Sequence, residues 1–151
     1  MRALRERARV SGDRGAASVF VIGLIFALMV LAGLVVDGGR AVNGRAAALD
    51  DAEQAARAGA NEIDEGLLRS TGQVRIDTAD AERSARAFVV ARGYAADDVH
   101  VTANDRTVTV RVQDEVPTAL LSLIGVNSFN VTGTATARAA VGIVNEIGGA
   151  P

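Results

Sequence analysis
The sequence predicts an α+β fold: a long N-terminal helix, a second helix, then an antiparallel sheet of about three strands. Three observations predict it. An uncharged apolar run from Ala16 to Val36 leads into an alanine-rich stretch of helical period. A shorter helical stripe follows near residue 80. After Gly93 the apolar period switches from 3.6 to 2 and keeps that alternation into the last strand.

The first element is AASVFVIGLIFALMVLAGLVV, twenty-one residues of which thirteen are Val, Leu, Ile or Phe. At 1.5 Å per residue a helix of this length spans about 31 Å, against a hydrocarbon core of roughly 30 Å. On the insertion scale those thirteen residues favour the bilayer by about 4–8 kcal/mol. A core helix of a globular protein carries polar residues on one face, and here only Ser18 is polar. Residues 16–36 therefore read as a transmembrane helix. Arg2, Arg5, Arg7, Arg9 and Arg14 precede it, whereas only Arg40 and Arg45 follow closely. The positive-inside rule then keeps residues 1–15 in the cytoplasm and sends the chain outside from Asp37 onward. A cleaved signal peptide would have an apolar region of only about 7–15 residues, so an uncleaved, single-pass anchor is expected in the cell membrane.

Residues 37–69 form the second segment, an amphipathic helix. Val42, Leu49, Ala52, Ala56, Ala60 (or Gly59), Ile63 and Leu67 recur at three, four and seven, opposite Asp50, Glu53, Arg57, Asp64 and Glu65. Gly38 and Gly39 stand at the joint with the apolar run, where a break and a bend are both open. Residues 70–147 form a small extracytoplasmic head. After a loop at Ser70–Gly72, Asp77 supplies an N-cap for a helix whose stripe is Ala81, Ala85, Phe88 and Val89 and which stops at Gly93. Val99 and Val101 alternate with His100 and Thr102. An Asn104-Asp105 turn follows, and Val108, Val110 and Val112 alternate in their turn, giving a hairpin that ends at Pro117. Leu120 to Ile124 make a short apolar helix or bulky loop, and a last strand runs from Phe129 to Val141. Residues 148–151 are a disordered tail.

Composition excludes several classes. The formal charge of −2 is wrong for a nucleic-acid binder, which carries a basic face. There is no cysteine, hence neither disulfides nor thiol chemistry. All sixteen basic residues are arginine, which with the abundant Ala, Gly and Val suggests a high-GC bacterium. Lacking lysine, the chain has no phosphate loop ending in Lys. His100 is the sole histidine and sits between strand valines, so a multi-histidine zinc site is impossible. Asp97-Asp98 and Asp114-Glu115 lack EF-hand spacing and read as exposed charges. No catalytic, metal or cofactor residue is assigned, no small-molecule substrate is implied, and the chain is expected not to be an enzyme.

The start RGAASVFVIGLIFALMVLAGLVVDGGR, residues 14–40, resembles bacterial pilins and pseudopilins. More narrowly, it is similar to the TadE/TadG-like proteins of tight-adherence (Flp) pilus assembly, of the actinobacterial type. The segment PTALLSLIGVNSFNVTGTATARA, residues 117–139, resembles the strand region of such proteins. The resemblance implies a membrane protein that works with other pilus or secretion assembly proteins or with further copies of itself. It also implies prepilin-type processing after a glycine, here Gly15. Prepilins carry a glutamate five residues on, where this chain has Phe20. An ionisable group at that depth needs a partner; its absence suits an anchored assembly component or minor pilin-like subunit rather than the major filament protein.

The remaining candidates are helix-packing positions. Gly23 and Ala27 make a small-xxx-small pair inside the apolar run, which lets two helices approach closely. Ala52, Ala56 and Ala60 continue such a face beyond it. Association is expected through these positions, with a membrane-anchored extracytoplasmic binding or sensing module unrelated to pili as the alternative.

Overall fold
The structure, a computed structural model, describes the backbone of residues 3–139 and the side chains of residues 16–139. The expected tail at 148–151, the end of the last strand at Val141 and the side chains of residues 1–15 lie outside those described. Among the described residues three α-helices, α1 (Ala3–Ala60), α2 (Glu65–Thr71) and α3 (Thr78–Ala91), precede three strands, β1 (Val99–Ala103), β2 (Thr107–Pro117) and β3 (Ser128–Arg138). The sheet is antiparallel with strand order β1-β2-β3, so the α+β expectation holds. The chain divides into two compact units. One comprises Met1–Arg40 with Pro117–Ser128, the other Ala41–Val116 with Phe129–Pro151.

In the first unit α1 supplies the apolar run. Within Ala16–Ala60 its most apolar window has a mean hydropathy of 3.1 and is only 6% buried. Among the described residues it is the one helix long and apolar enough to cross a membrane. The helix is unbroken at Gly38-Gly39. Each glycine costs about 1 kcal/mol against alanine, which a long helix tolerates. Against the end of the apolar run lies the connection between β2 and β3, which includes a 3-10 turn at Leu121–Ile124.

The second unit is the head. Its hairpin has the expected register, with Val99 opposite Val112, Val101 opposite Val110, and Ala103 opposite Val108. These valines face inward, while His100, Thr102 and Arg111 face water. At the turn the Asn104 Oδ1 accepts from the Arg106 and Thr107 N–H groups at 2.9 Å, which fixes the reversal. In α3 the Asp77 carboxylate caps the Ala79 and Asp80 N–H groups, and Ala81, Ala85 and Val89 are buried. That helix packs on β1.

Two features of α1 differ from the sequence expectation. It ends at Ala60 instead of continuing to residue 69. Ile63 leaves the helix to bridge Ile76, with Asp64 N–H donating to the Arg75 carbonyl and Asp77 N–H to that of Glu62, each at 2.9 Å. A separate helix, α2, then starts at the Asp64 cap and stops at Gly72 in the left-handed conformation (φ 71°). The buried face is also not the one carrying the larger apolar residues. Val42 and Leu49 are exposed, and Ala48, Ala52, Ala55, Ala56 and Ala60 form the core. Helix α1 lies too close to β3 and to α3 for anything larger at these points. A Cβ on Gly133 of β3 would lie 2.1 Å from the Ala48 carbonyl oxygen, and one on Gly59 2.8 Å from that of Ala81.

Candidate functional site
The most constrained polar arrangement in the first unit is at Asp37, the residue immediately after the apolar run. It is 1% exposed, the one buried charged residue among those described. Its Oδ1 accepts from the Ala119 N–H at 2.8 Å, and its Oδ2 from the Leu120 and Leu121 N–H groups at 2.9 and 2.8 Å. These are the orphan donors at the start of the 3-10 turn, where a carboxylate also meets the positive end of the local dipoles.

Four residues earlier on the same helix face stands Gly33, which is buried. A Cβ there would come 3.0 Å from Leu121 Cδ2 and 3.2 Å from Leu120 Cβ, so glycine leaves room for the two leucines to rest on the helix. Leu121 is 5% exposed. The connection closes on itself through Thr118 N–H to the Asn127 carbonyl at 2.9 Å, and it reverses at Gly125 (φ 92°). Backbone of that sign favours glycine.

Burial alone raises the Asp37 carboxyl, but the N–H groups of Leu121, Ala119 and Leu120 and the nearby Arg40 charge outweigh it. They hold the group below its ordinary value of 3.8. A carboxylate already accepting three backbone donors is a poor base and a poor metal ligand. Its chemistry is to hold, not to react.

The residues singled out from sequence fall in separate places. Gly23 and Ala27 are exposed on α1, and a Cβ at Gly23 would meet nothing within 4 Å. By helical geometry their face is turned about 80° from the Gly33/Asp37 face, so the connection leaves it open. Phe20 is 70% exposed. Gly15 lies outside the residues whose side chains are described. Ala52, Ala56 and Ala60 are inside the head's own core, packed with the chain's own α3 and sheet residues. His100 is exposed on β1 opposite Arg111.

Asp98, Asp114 and Glu115 line one shallow depression of about 190 Å³ with Gln113 and Asn130. Among the described residues no group of three His, Cys, Asp or Glu side chains is arranged to hold a metal ion. Elsewhere in the head the Tyr94 hydroxyl donates to Asp51 at 3.2 Å. Arg92 reaches the same carboxylate at 3.4 Å while stacking over Phe88. Burial and the Asp51 charge push the Tyr94 phenol up to about 12. This cluster pins the end of α3 to α1.

Sequence reading missed Asp37. The available signal was a lone acid abutting the apolar run, a position that needs a partner. That partner is 82 residues away in sequence.

A family model described as Tad, putative Flp pilus-assembly TadE/G-like, matches residues 15–62. That is about a third of the chain, and it covers the apolar run and all of α1 beyond it. No curated protein and no solved structure matches the chain.

Proposed function
Since residues 15–62 are TadE/G-like, we propose that this chain is a single-pass membrane component of an Flp-type pilus or a related secretion apparatus. It serves there as an assembly factor or minor pilin-like subunit. The observation that carries this reading is the coincidence of the family match with α1, whose apolar stretch is almost wholly unburied. A helix of that hydropathy with nothing covering it needs lipid or other helices around it. Residues 1–15 stay in the cytoplasm, as the arginine bias directs, and the head is extracytoplasmic.

The work of such a protein is association rather than catalysis. The assembly role of the family it resembles supports that. The contact surface is the open Gly23/Ala27 face, where close helix approach gains packing that lipid does not supply. Ala52, Ala56 and Ala60 support the head from within and add nothing to that surface. The test is Förster transfer between labelled copies, and with co-expressed pilus proteins, in lipid bilayers. Gly23→Ile should weaken transfer several-fold while leaving insertion intact. Transfer equal to that of the parent, or surface filaments unchanged in a strain lacking the gene, would overturn the proposal.

A further inference from the structure
The β2–β3 connection leaves part of its apolar surface uncovered. Leu121 is covered, but Leu123 is 68% exposed, Ile124 41% and Val126 39%. No charge occurs between Glu115 and Arg138, so the whole connection is uncharged. Its backbone is also closed on itself. Besides the three N–H groups held by Asp37, Thr118 donates to Asn127, Leu123 to Leu120, Gly125 to Ser122 and Val126 to Leu121. The Ser122 hydroxyl donates to the Ala119 carbonyl, and that of Thr118 to the Val126 carbonyl. Seven of the connection's N–H groups thus have acceptors within the unit and it carries no charged side chain, which lowers the cost of placing a non-helical segment at the half-wet boundary of an apolar solvent.

Its position on α1 sets the depth. Leu120 and Leu121 rest on Gly33, three residues inside the end of the apolar run, hence about 4.5 Å below Val36 along the helix. The exposed side chains of the turn extend the apolar surface that Leu31, Leu34 and Val35 already present. The geometry points to a second membrane contact: the Leu123–Val126 tip of the β2–β3 connection inserts into the phospholipid bilayer, at the headgroup–acyl boundary of the leaflet where the apolar run ends. Asp37 is the positioning residue that fastens the tip at that depth. The contact adds an anchor that a single spanning helix lacks, because a helix alone is free to rotate about its axis.

The inference rests on residues 16–36 spanning the bilayer, and the experiment separates the two. The chain has no cysteine, so single cysteines report cleanly. Ile25→Cys, Leu123→Cys and Thr134→Cys are made in the full chain, labelled with a small fluorophore and reconstituted in phosphatidylcholine vesicles. Quenching is then read with nitroxides at set depths on the lipid chains and with aqueous iodide. The Leu123 label should be quenched by shallow nitroxides and be at least about threefold less sensitive to iodide than the Thr134 label, as an interfacial position requires. The Ile25 label should respond only to deep nitroxides. Asp37→Asn should return the Leu123 label toward the iodide sensitivity of Thr134.

A Leu123 label as iodide-sensitive as Thr134, with Ile25 still lipid-quenched, overturns the tip contact and leaves the span standing. An Ile25 label open to iodide overturns both. A Leu123 label shielded from iodide and lipid alike places a second protein chain on the tip and overturns the bilayer as its occupant.

Discussion
The sharpest consequence of the head's architecture concerns Gly133→Ala. The added Cβ would sit 2.1 Å from the Ala48 carbonyl oxygen, 2.3 Å from its carbon and 2.6 Å from the Leu49 nitrogen. Ordinary contact begins near 3.4 Å, a shortfall of 1.3 Å. All three obstructing atoms are main chain in the middle of a helix, so no side-chain rotation relieves the clash. β3 must withdraw from α1, and gaps of that size forfeit half or more of the dispersion contacts around them. Overpacking of side chains costs about 1–3 kcal/mol, and a backbone obstruction belongs at or above the top of that range, about 3 kcal/mol. For a head of this size that lowers the melting temperature by about 12–24 °C. The assay is thermal unfolding of the full chain in detergent micelles. It is followed by the near-ultraviolet signal of Tyr94, the sole tyrosine in a chain without tryptophan. Gly23→Ala, whose Cβ meets nothing, is the control and should stay within about 0.5 kcal/mol of the parent. A Gly133→Ala melting point within about 2 °C of the parent would refute the close helix–strand approach.

Val110 is fully buried on the central strand, and Val110→Ala should cost about 2–3 kcal/mol through lost burial and the cavity left behind, read from denaturant unfolding. Asp37→Asn should speed amide exchange at Ala119, Leu120 and Leu121 while leaving α1 protected. The Asp37 carboxyl is held below 3.8, so its contribution is present above that value and is lost as pH falls through the lower native value. Exchange at the same three amides should therefore stay slow at neutral and mildly acidic pH and rise only in strong acid. Tyr94 titrates in the opposite sense. Its native value of about 12 exceeds the ordinary 10.0, so its stabilising contribution is complete below pH 10 and disappears as pH rises toward 12. Phenolate absorbance should show a midpoint near 12 in the folded chain, moved down by Asp51→Asn.

Elements whose signals are local were legible in the sequence. The Asp77 cap, the Ala81/Ala85/Val89 stripe, the valine alternation and the Asn104 turn are each contained within a few residues and stand as read, with Phe88 of the same stripe only half-buried. What the sequence obscured depends on distant partners. Helix α1 stops at Ala60 because the 62–64 segment pairs with 75–77, which no propensity near residue 60 announces. Its buried face is ambiguous because alanine is equally at home in a core and on a helix surface. Larger Val42 and Leu49 drew the apolar stripe toward themselves, while the opposing backbone at Gly133 required the smallest side chains.

The same reasoning explains why Asp37 and the β2–β3 connection were each obscure alone. A carboxylate abutting an apolar run is costly without a partner. A tight turn that begins with three free N–H groups is costly without an acceptor. Here each supplies what the other lacks, so the chain retains two features that look unfavourable when read separately. The pairing also bears on the proposed assembly. In the prepilins that the N-terminus resembles, a glutamate five residues past the processed glycine helps align neighbouring subunits; this chain has Phe20 there. The carboxylate next to the other end of its apolar run is already saturated by the chain's own amides. In the proposed assembly, association through this helix has no intramembrane charge to satisfy and would depend on shape at Gly23 and Ala27. Such contacts should be insensitive to pH and salt and highly sensitive to the size of the side chain at position 23.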